Sequence, residues 1–195
     1  MNRSAVIFDL DGTITRPYLD FDEIRAEIGA KGPVLEALAE MDPDSRRRAE
    51  AVLLRYEREA ARNATLQEGA VEVIDACRSM GHAVAILTRN SRATVDIVLE
   101  SHSITVDALR TREDGAIKPS PAPVLSICEE LHADPRRSWM VGDYLFDILC
   151  GRDAGARTIL MVGDKEIPDF ADRADHVIHR LTELLPIIAG RFDSD

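Results

Sequence analysis

Apolar positions along the chain fall into two kinds of pattern. Ala5-Val6-Ile7-Phe8 is an unbroken apolar run that ends at Asp9-Leu10-Asp11-Gly12-Thr13. Such a run suits a strand buried on both faces of a parallel sheet, with Gly12 marking the turn after it. From Asp20 to Asn63 the pattern changes. Glu, Arg, Ala and Leu dominate, no strand pattern occurs, and Pro33 and Pro43 divide the stretch into three helices near 20–29, 33–41 and 44–62. Ala49, Val52, Leu53 and Tyr56 set an apolar face at helical spacing on the third.

Beyond this helical stretch, strands and helices alternate. Helices are expected over Glu68–Met80, Ser91–Glu100 (Ser91 as N-cap), Pro121–His132, Leu145–Ala154 and Leu181–Ala189. Strands are expected over Ala83–Thr88, Ala108–Arg110, Ser138–Gly142, Thr158–Val162 and His176–Ile178. Alternation of this kind implies right-handed crossovers and an α/β, Rossmann-like, doubly wound parallel sheet. The division expected is a core domain over 1–15 and 67–195, with a small α-helical insertion over 16–66 after the first strand. Only the ends, Met1-Asn2-Arg3 and Asp193-Ser194-Asp195, are expected to fray.

Charge and cysteine content narrow the function. Lys and Arg total 24 against 35 Asp and Glu, a formal net charge of −11. No basic face is available to neutralise a nucleic-acid backbone, so a nucleic-acid partner is not expected. A small phosphorylated substrate stays compatible, because screening over about 8 Å lets a few local cations override the global charge. Arg46-Arg47-Arg48 reads as a solvated helix face beside Glu50. Cys77, Cys128 and Cys150 form no C-x-x-C pair and read as reduced thiols. No apolar run reaches the roughly 20 residues of a membrane span, and the first apolar stretch is too short for a signal-peptide core. A cytoplasmic protein with no membrane partner is expected. Nothing in the sequence specifies an oligomeric state.

Ligands in open α/β sheets bind outside the carboxyl ends of the strands, at a topological switch point. Asp9 and Asp11 follow the first strand. Thr88, Arg89 and Asn90 follow the second. Asp143 follows the strand Ser138–Gly142, with Asp147 four residues on, and Lys118-Pro119 precedes a helix. Four carboxylates, a hydroxyl and a lysine on one edge suit phosphoryl transfer with Mg²⁺. The ion is hard, takes oxygen ligands and offsets carboxylate repulsion. One carboxylate can act as nucleophile, and another as general acid and then base. Lysine and threonine can hold phosphoryl oxygens. Lys118 is one of only three lysines, with Lys31 and Lys165, in a chain that otherwise uses arginine as its cation.

Asp9-Leu10-Asp11-Gly12-Thr13, Thr88, Lys118-Pro119 and Gly142-Asp143-Tyr144-Leu145-Phe146-Asp147, in that order, resemble the four motifs of the haloacid dehalogenase superfamily. The resemblance is to its phosphatase branch with a small helical cap, and it covers nearly the whole chain. It implies Asp9 as nucleophile and magnesium ligand. It implies Asp11 as general acid and base, binding the metal through its backbone carbonyl. Thr88 and Lys118 would bind the phosphoryl group, with Arg89 and Asn90 beside them. Asp143 would bind magnesium, and Asp147 would support the metal site directly or from behind. Residues 16–66 would be the cap. The implied activity is hydrolysis of a small phosphorylated metabolite through an aspartyl-phosphate.

This sequence departs from the family pattern in two places. Tyr144 stands where many relatives carry Ser or Thr, and Arg16-Pro17 follows the first motif where small polar or acidic residues are common. Arg16, Arg25, Lys31 and Arg55 are candidate anion contacts in the cap. A phosphomutase of the same family, and a non-catalytic binding protein on this fold, are the alternatives. Asp11 speaks against a dehalogenase or a phosphonate-cleaving enzyme, whose relatives lack that second acid.

Overall fold

The structure is a computed structural model and describes residues 3–190. Six parallel strands form one sheet: β1 (Ala5–Phe8), β2 (Ala83–Leu87), β3 (Ala108–Arg110), β4 (Trp139–Gly142), β5 (Arg157–Met161) and β6 (His176–Ile178). Their spatial order is β3-β2-β1-β4-β5-β6. The chain starts in the middle, builds outward to β3, then returns beside β1 and builds the other way. The gap between the carboxyl ends of β1 and β4 is therefore the switch point.

Alternation along the strands feeds two cores. Val6 and Phe8 of β1, with Val84 and Ile86 of β2, face the cluster built by α4 (Ala70–Ser79), α5 (Arg92–Ser101) and α8 (Leu184–Ile188). Ala5 and Ile7, with Ala83, Ala85 and Leu87, face α6 (Ala122–Glu130) and α7 (Leu145–Asp153). Every residue of β1 and β2 is buried. That double burial is why these strands read as continuous apolar runs.

The helical insertion comprises α1 (Phe21–Ile28), α2 (Val34–Glu40) and α3 (Pro43–Asn63). Asp20 caps α1 by accepting from the N–H groups of Asp22 and Glu23. Asp42 caps α3 in the same way through Asp44 and Ser45, with Pro43 in the first turn. Ile24, Val34, Leu38, Ala49 and Leu53 give the insertion a small core of its own. The far end of α3 joins the main body, where Ala61 belongs to the cluster on the sheet.

Several element ends differ from the sequence expectation. α4 starts at Ala70 because Gly69 adopts φ 77°, which ends the preceding turn. Ser91 holds the N-cap position of α5, but its hydroxyl pairs with the Thr94 hydroxyl at 2.9 Å instead of a backbone N–H. The last helix divides into a 3₁₀ turn, Leu181–Glu183, and α8. Arg3 forms a bridge to Ala133; the other end residues expected to fray lie outside those described. Cys77, Cys128 and Cys150 are free and buried, and Trp139 is core. No described helix is long and apolar enough to cross a membrane.

Gly151 lets α7 lie on the sheet. A Cβ there would sit 2.6 Å from Met140 Cβ and 2.9 Å from Thr158 Cγ2. In an open helix, Gly→Ala gains about 1 kcal/mol; here overpacking, at about 1–3 kcal/mol, is set against it. Gly151→Ala is expected to lower the unfolding free energy by about 1 kcal/mol in urea denaturation, and an unchanged or raised midpoint would show that the packing relaxes.

Candidate active site

Asp9 extends β1 by one residue, its N–H bonding Val141 O at 2.8 Å. The chain then turns tightly, with Leu10 O accepting from the N–H groups of Ile14 and Thr15 at 2.9 Å. Gly12 is required in this turn for two reasons. Its φ is +80°, and a Cβ there would lie 2.2 Å from Asp143 Oδ2. Gly142 does the same for Asp147, whose Cγ would lie 2.2 Å from a Cβ at that position. Two glycines thus let two carboxylates close in on the end of β1.

Lys118 ties the carboxylates together. Its Nζ donates to Asp9 Oδ1 at 2.6 Å and to Asp147 Oδ1 at 2.5 Å, and all three side chains are buried. Asp147 Oδ2 accepts the Tyr144 N–H at 3.1 Å. Tyr144, not Asp143, takes the N-cap position of α7, so the Asp143 carboxylate is left to face the site, where its Oδ2 accepts from Lys165 Nζ at 3.0 Å. Oxygens of Asp9, Asp143 and Asp147 lie within 4.8 Å of one another. An all-carboxylate set of this size matches a hard divalent cation such as Mg²⁺ better than a soft or nitrogen-seeking metal. The Asp11 side chain is not in that set. Its Oδ2 accepts from Asn90 Nδ2, and its Oδ1 from the Thr15 hydroxyl at 3.4 Å.

Burial and crowding set the protonation of the group. Asp11 is pushed up to about 6, first by burial and then by the charge of Asp9. Asp147 is pushed up to about 7 by burial, against the pull of Lys118. Burial and Asp9 raise Asp143, with Lys165 opposing. Burial works to lower the Lys118 ammonium's pKa, but Asp147 and Asp9 outweigh it, and the ammonium stays charged.

Asp9, Asp11, Thr88, Arg89, Asn90, Lys118, Asp143 and Asp147 all line one cavity of about 560 Å³ between the sheet edge and the inserted helices. Thr88 is buried, its hydroxyl accepting the Asn90 N–H at 3.2 Å. Arg89 is engaged elsewhere. Its guanidinium pairs with both Glu36 carboxylate oxygens of α2 at 2.6 and 2.7 Å and lies 4.7 Å from the centre of the Phe146 ring. Of the candidate anion contacts in the insertion, Arg25 lines the cavity and is paired with Asp22, whereas Arg55 is held by Glu27 and does not line it. Arg16 and Lys31 are exposed and do not line this cavity.

Two further residues join the cavity wall. Lys165 lies in the turn after β5, one more residue beyond a strand's carboxyl end. Glu57 is buried on α3 and pairs with Arg112. Its signal was a charge in register with the apolar face Ala49, Leu53, Ala60 and Ala61. Burial raises Glu57, with Arg112 opposing. Its Oε2 and Thr13 Oγ1 are the buried side-chain atoms without a hydrogen-bond partner among the described residues.

Comparison with known proteins adds a family. The haloacid dehalogenase-like hydrolase profile matches residues 17–161, a span that holds Thr88, Lys118, Asp143 and Asp147 and begins after Asp9 and Asp11. A haloacid dehalogenase-like hydrolase domain-containing protein of Arabidopsis thaliana is 30% identical over 97% of this chain and 85% of its own length. An N-acetylmuramic acid 6-phosphate phosphatase of Pseudomonas putida is 31% identical over 81% of this chain and 82% of its own. A hydrolase from Pseudomonas syringae superposes with a TM-score of 0.78 at 19% identity, covering 96% of this chain and 99% of that one, and so shares the fold.

The carboxylate cluster makes a stability prediction. Millimolar Mg²⁺ is expected to raise the melting temperature by several degrees at pH 8. The gain should shrink as pH falls through 7, because Asp147 takes up a proton there and a protonated carboxyl is a poor cation ligand. A gain that is absent, or that grows on acidification, would contradict a divalent site at these residues.

Proposed function

The chain belongs to the haloacid dehalogenase-like hydrolase family, and on that premise we propose that it is a magnesium-dependent phosphatase of a small phosphorylated metabolite. The observation that carries this reading is the buried Lys118 ammonium held between Asp9 and Asp147, at the sheet's switch point. A turn carboxylate without a reaction to perform gains nothing from burial beside two others. The phosphatase relative from Pseudomonas putida supports a phosphomonoester as substrate.

In this reading Lys118 holds Asp9 Oδ1 and leaves Oδ2 to attack phosphorus. The bond from phosphorus to the leaving oxygen breaks as the bond to Asp9 forms. Asp11, whose pKa near 6 keeps a protonated fraction available around neutrality, gives its proton to that oxygen. The Asp11 carboxylate then takes a proton from water as water displaces Asp9 from phosphorus. Asn90 keeps the Asp11 carboxyl oriented through both steps. Lys118 and the Thr88 hydroxyl bind phosphoryl oxygens. Asp9, Asp143 and Asp147, with the Asp11 carbonyl, would hold Mg²⁺, which supplies charge neutralisation for the phosphoryl group. Residues 16–66 act as a cap that closes over the site and excludes bulk water. Three free, buried thiols agree with a cytoplasmic setting.

Phosphate release from p-nitrophenyl phosphate tests the reading. Asp9→Asn is expected to lose activity by at least about 10³-fold, since the nucleophile is gone. Asp11→Asn should lose about 10²–10⁴-fold, and chelation should abolish turnover reversibly. Asp9→Asn retaining wild-type turnover would refute Asp9 as nucleophile. Turnover that needs a bisphosphate activator would mark a mutase instead.

A further inference from the structure

The rest of the cavity lining has a different chemistry. Tyr18 and Phe21 precede and begin α1, Val34 begins α2, Leu53 lies on α3, and Tyr144 and Phe146 stand at the start of α7; all six line the cavity. Tyr18, Phe21 and Tyr144 are 49%, 46% and 53% exposed, an unusual clustering of aromatic surface around one opening. Tyr144 meets Phe146 and Phe170 edge to face, with ring centres 5.1 and 6.0 Å apart, so this side of the opening is a braced aromatic wall.

Charged groups on the same wall are already engaged by protein partners. Arg25 is paired with Asp22, Arg89 with Glu36 and the Phe146 ring, and Lys165 with Asp143. Glu57 gives one oxygen to Arg112, and its Oε2 is the exception, an acceptor without a partner. A polyhydroxylated leaving group entering here would lose water from several hydroxyls and find Glu57 Oε2 and the Tyr18 and Tyr144 hydroxyls as its partners on this wall. That loss is unfavourable for each hydroxyl left unpaired. An apolar ring would bury its faces against aromatic and aliphatic carbon without such a loss.

We infer that the leaving group of the substrate is an alcohol built on an apolar ring, and not a sugar or another polyol. The inference rests on the phosphatase reading above and names the substrate class of that same site. The phosphate end is held by the carboxylate and lysine cluster, and the ring lies between Phe21 of the cap and Tyr144 of the core. Tyr144, the residue that departs from the family pattern, thereby becomes a specificity determinant.

Steady-state hydrolysis tests this with substrates whose leaving groups have similar basicity. Benzyl phosphate, cyclohexylmethyl phosphate and glucose 6-phosphate are all esters of primary alcohols. The ring esters are expected to show kcat/KM at least tenfold above glucose 6-phosphate. Phe21→Ala and Tyr144→Ala should each raise KM for benzyl phosphate more than they lower kcat, and bring the benzyl-to-glucose ratio toward one. A purely structural role would move both substrates together. Glucose 6-phosphate or pyrophosphate turned over as well as benzyl phosphate would overturn the substrate class and leave the phosphatase standing. If none of them is turned over, p-nitrophenyl phosphate release decides the phosphatase reading, and titration with benzylphosphonate against methylphosphonate in Mg²⁺ decides the subsite. Tighter binding of the benzyl compound would uphold it, and equal binding would overturn it.

Discussion

A single buried ammonium holds this molecule's chemistry in place. Lys118 lies between Asp9 and Asp147, and these three side chains come from three separate elements: the end of β1, the loop before α6, and the first turn of α7. Two carboxylates this close in a buried setting repel and lose their hydration; the shared cation offsets both costs. Removing one partner of such a buried arrangement typically costs about 3–5 kcal/mol, because the remaining charges stay buried. The geometry around it follows from that need. Gly12 and Gly142 exist as glycines so that Asp143 and Asp147 can approach where a Cβ would collide.

The inserted helices depend on the same body in a different way. Their own core is five buried residues, small for an independent unit. They are anchored at one end by the apolar continuity of α3 with the sheet cluster, through Ala61. Near the cavity, two ion pairs reach across instead: Arg89 to Glu36 and Arg112 to Glu57. The Arg89–Glu36 pair is partly exposed, so water can satisfy its charges where it parts, whereas Glu57 is buried and its pair with Arg112 holds the insertion to the sheet edge. Apolar attachment lies away from the site and polar attachment beside it.

Much of the fold was legible because its signals are local. Continuous apolar runs marked β1 and β2, since both faces of a central parallel strand are covered. Pro33 and Pro43 marked the divisions of the insertion, since φ restriction acts within a few residues. The partner of a cap was less legible than its position. Ser91 has the right residue type for a cap, yet Thr94 captures its hydroxyl.

The sequence by itself determined which residues follow each strand, and a parallel sheet brings strand ends together whatever the detailed packing. That rule placed Asp9, Asp11, Thr88 and Asp143 on one edge, and Lys118, from the loop before α6, and Asp147, from the first turn of α7, line the same cavity. Tertiary structure decided how each is used, because a side chain's partner is set by distance in space and not along the chain. Arg89 was drawn to Glu36, 53 residues away in sequence, and Asn90 to Asp11, 79 residues away. Lys165 found Asp143, and Glu57, buried on a face that reads as apolar, found Arg112. The aromatic wall was hidden for the same reason: Tyr18, Phe21, Tyr144 and Phe146 are scattered in the chain, and only the packing of the insertion over the sheet edge sets them around one opening.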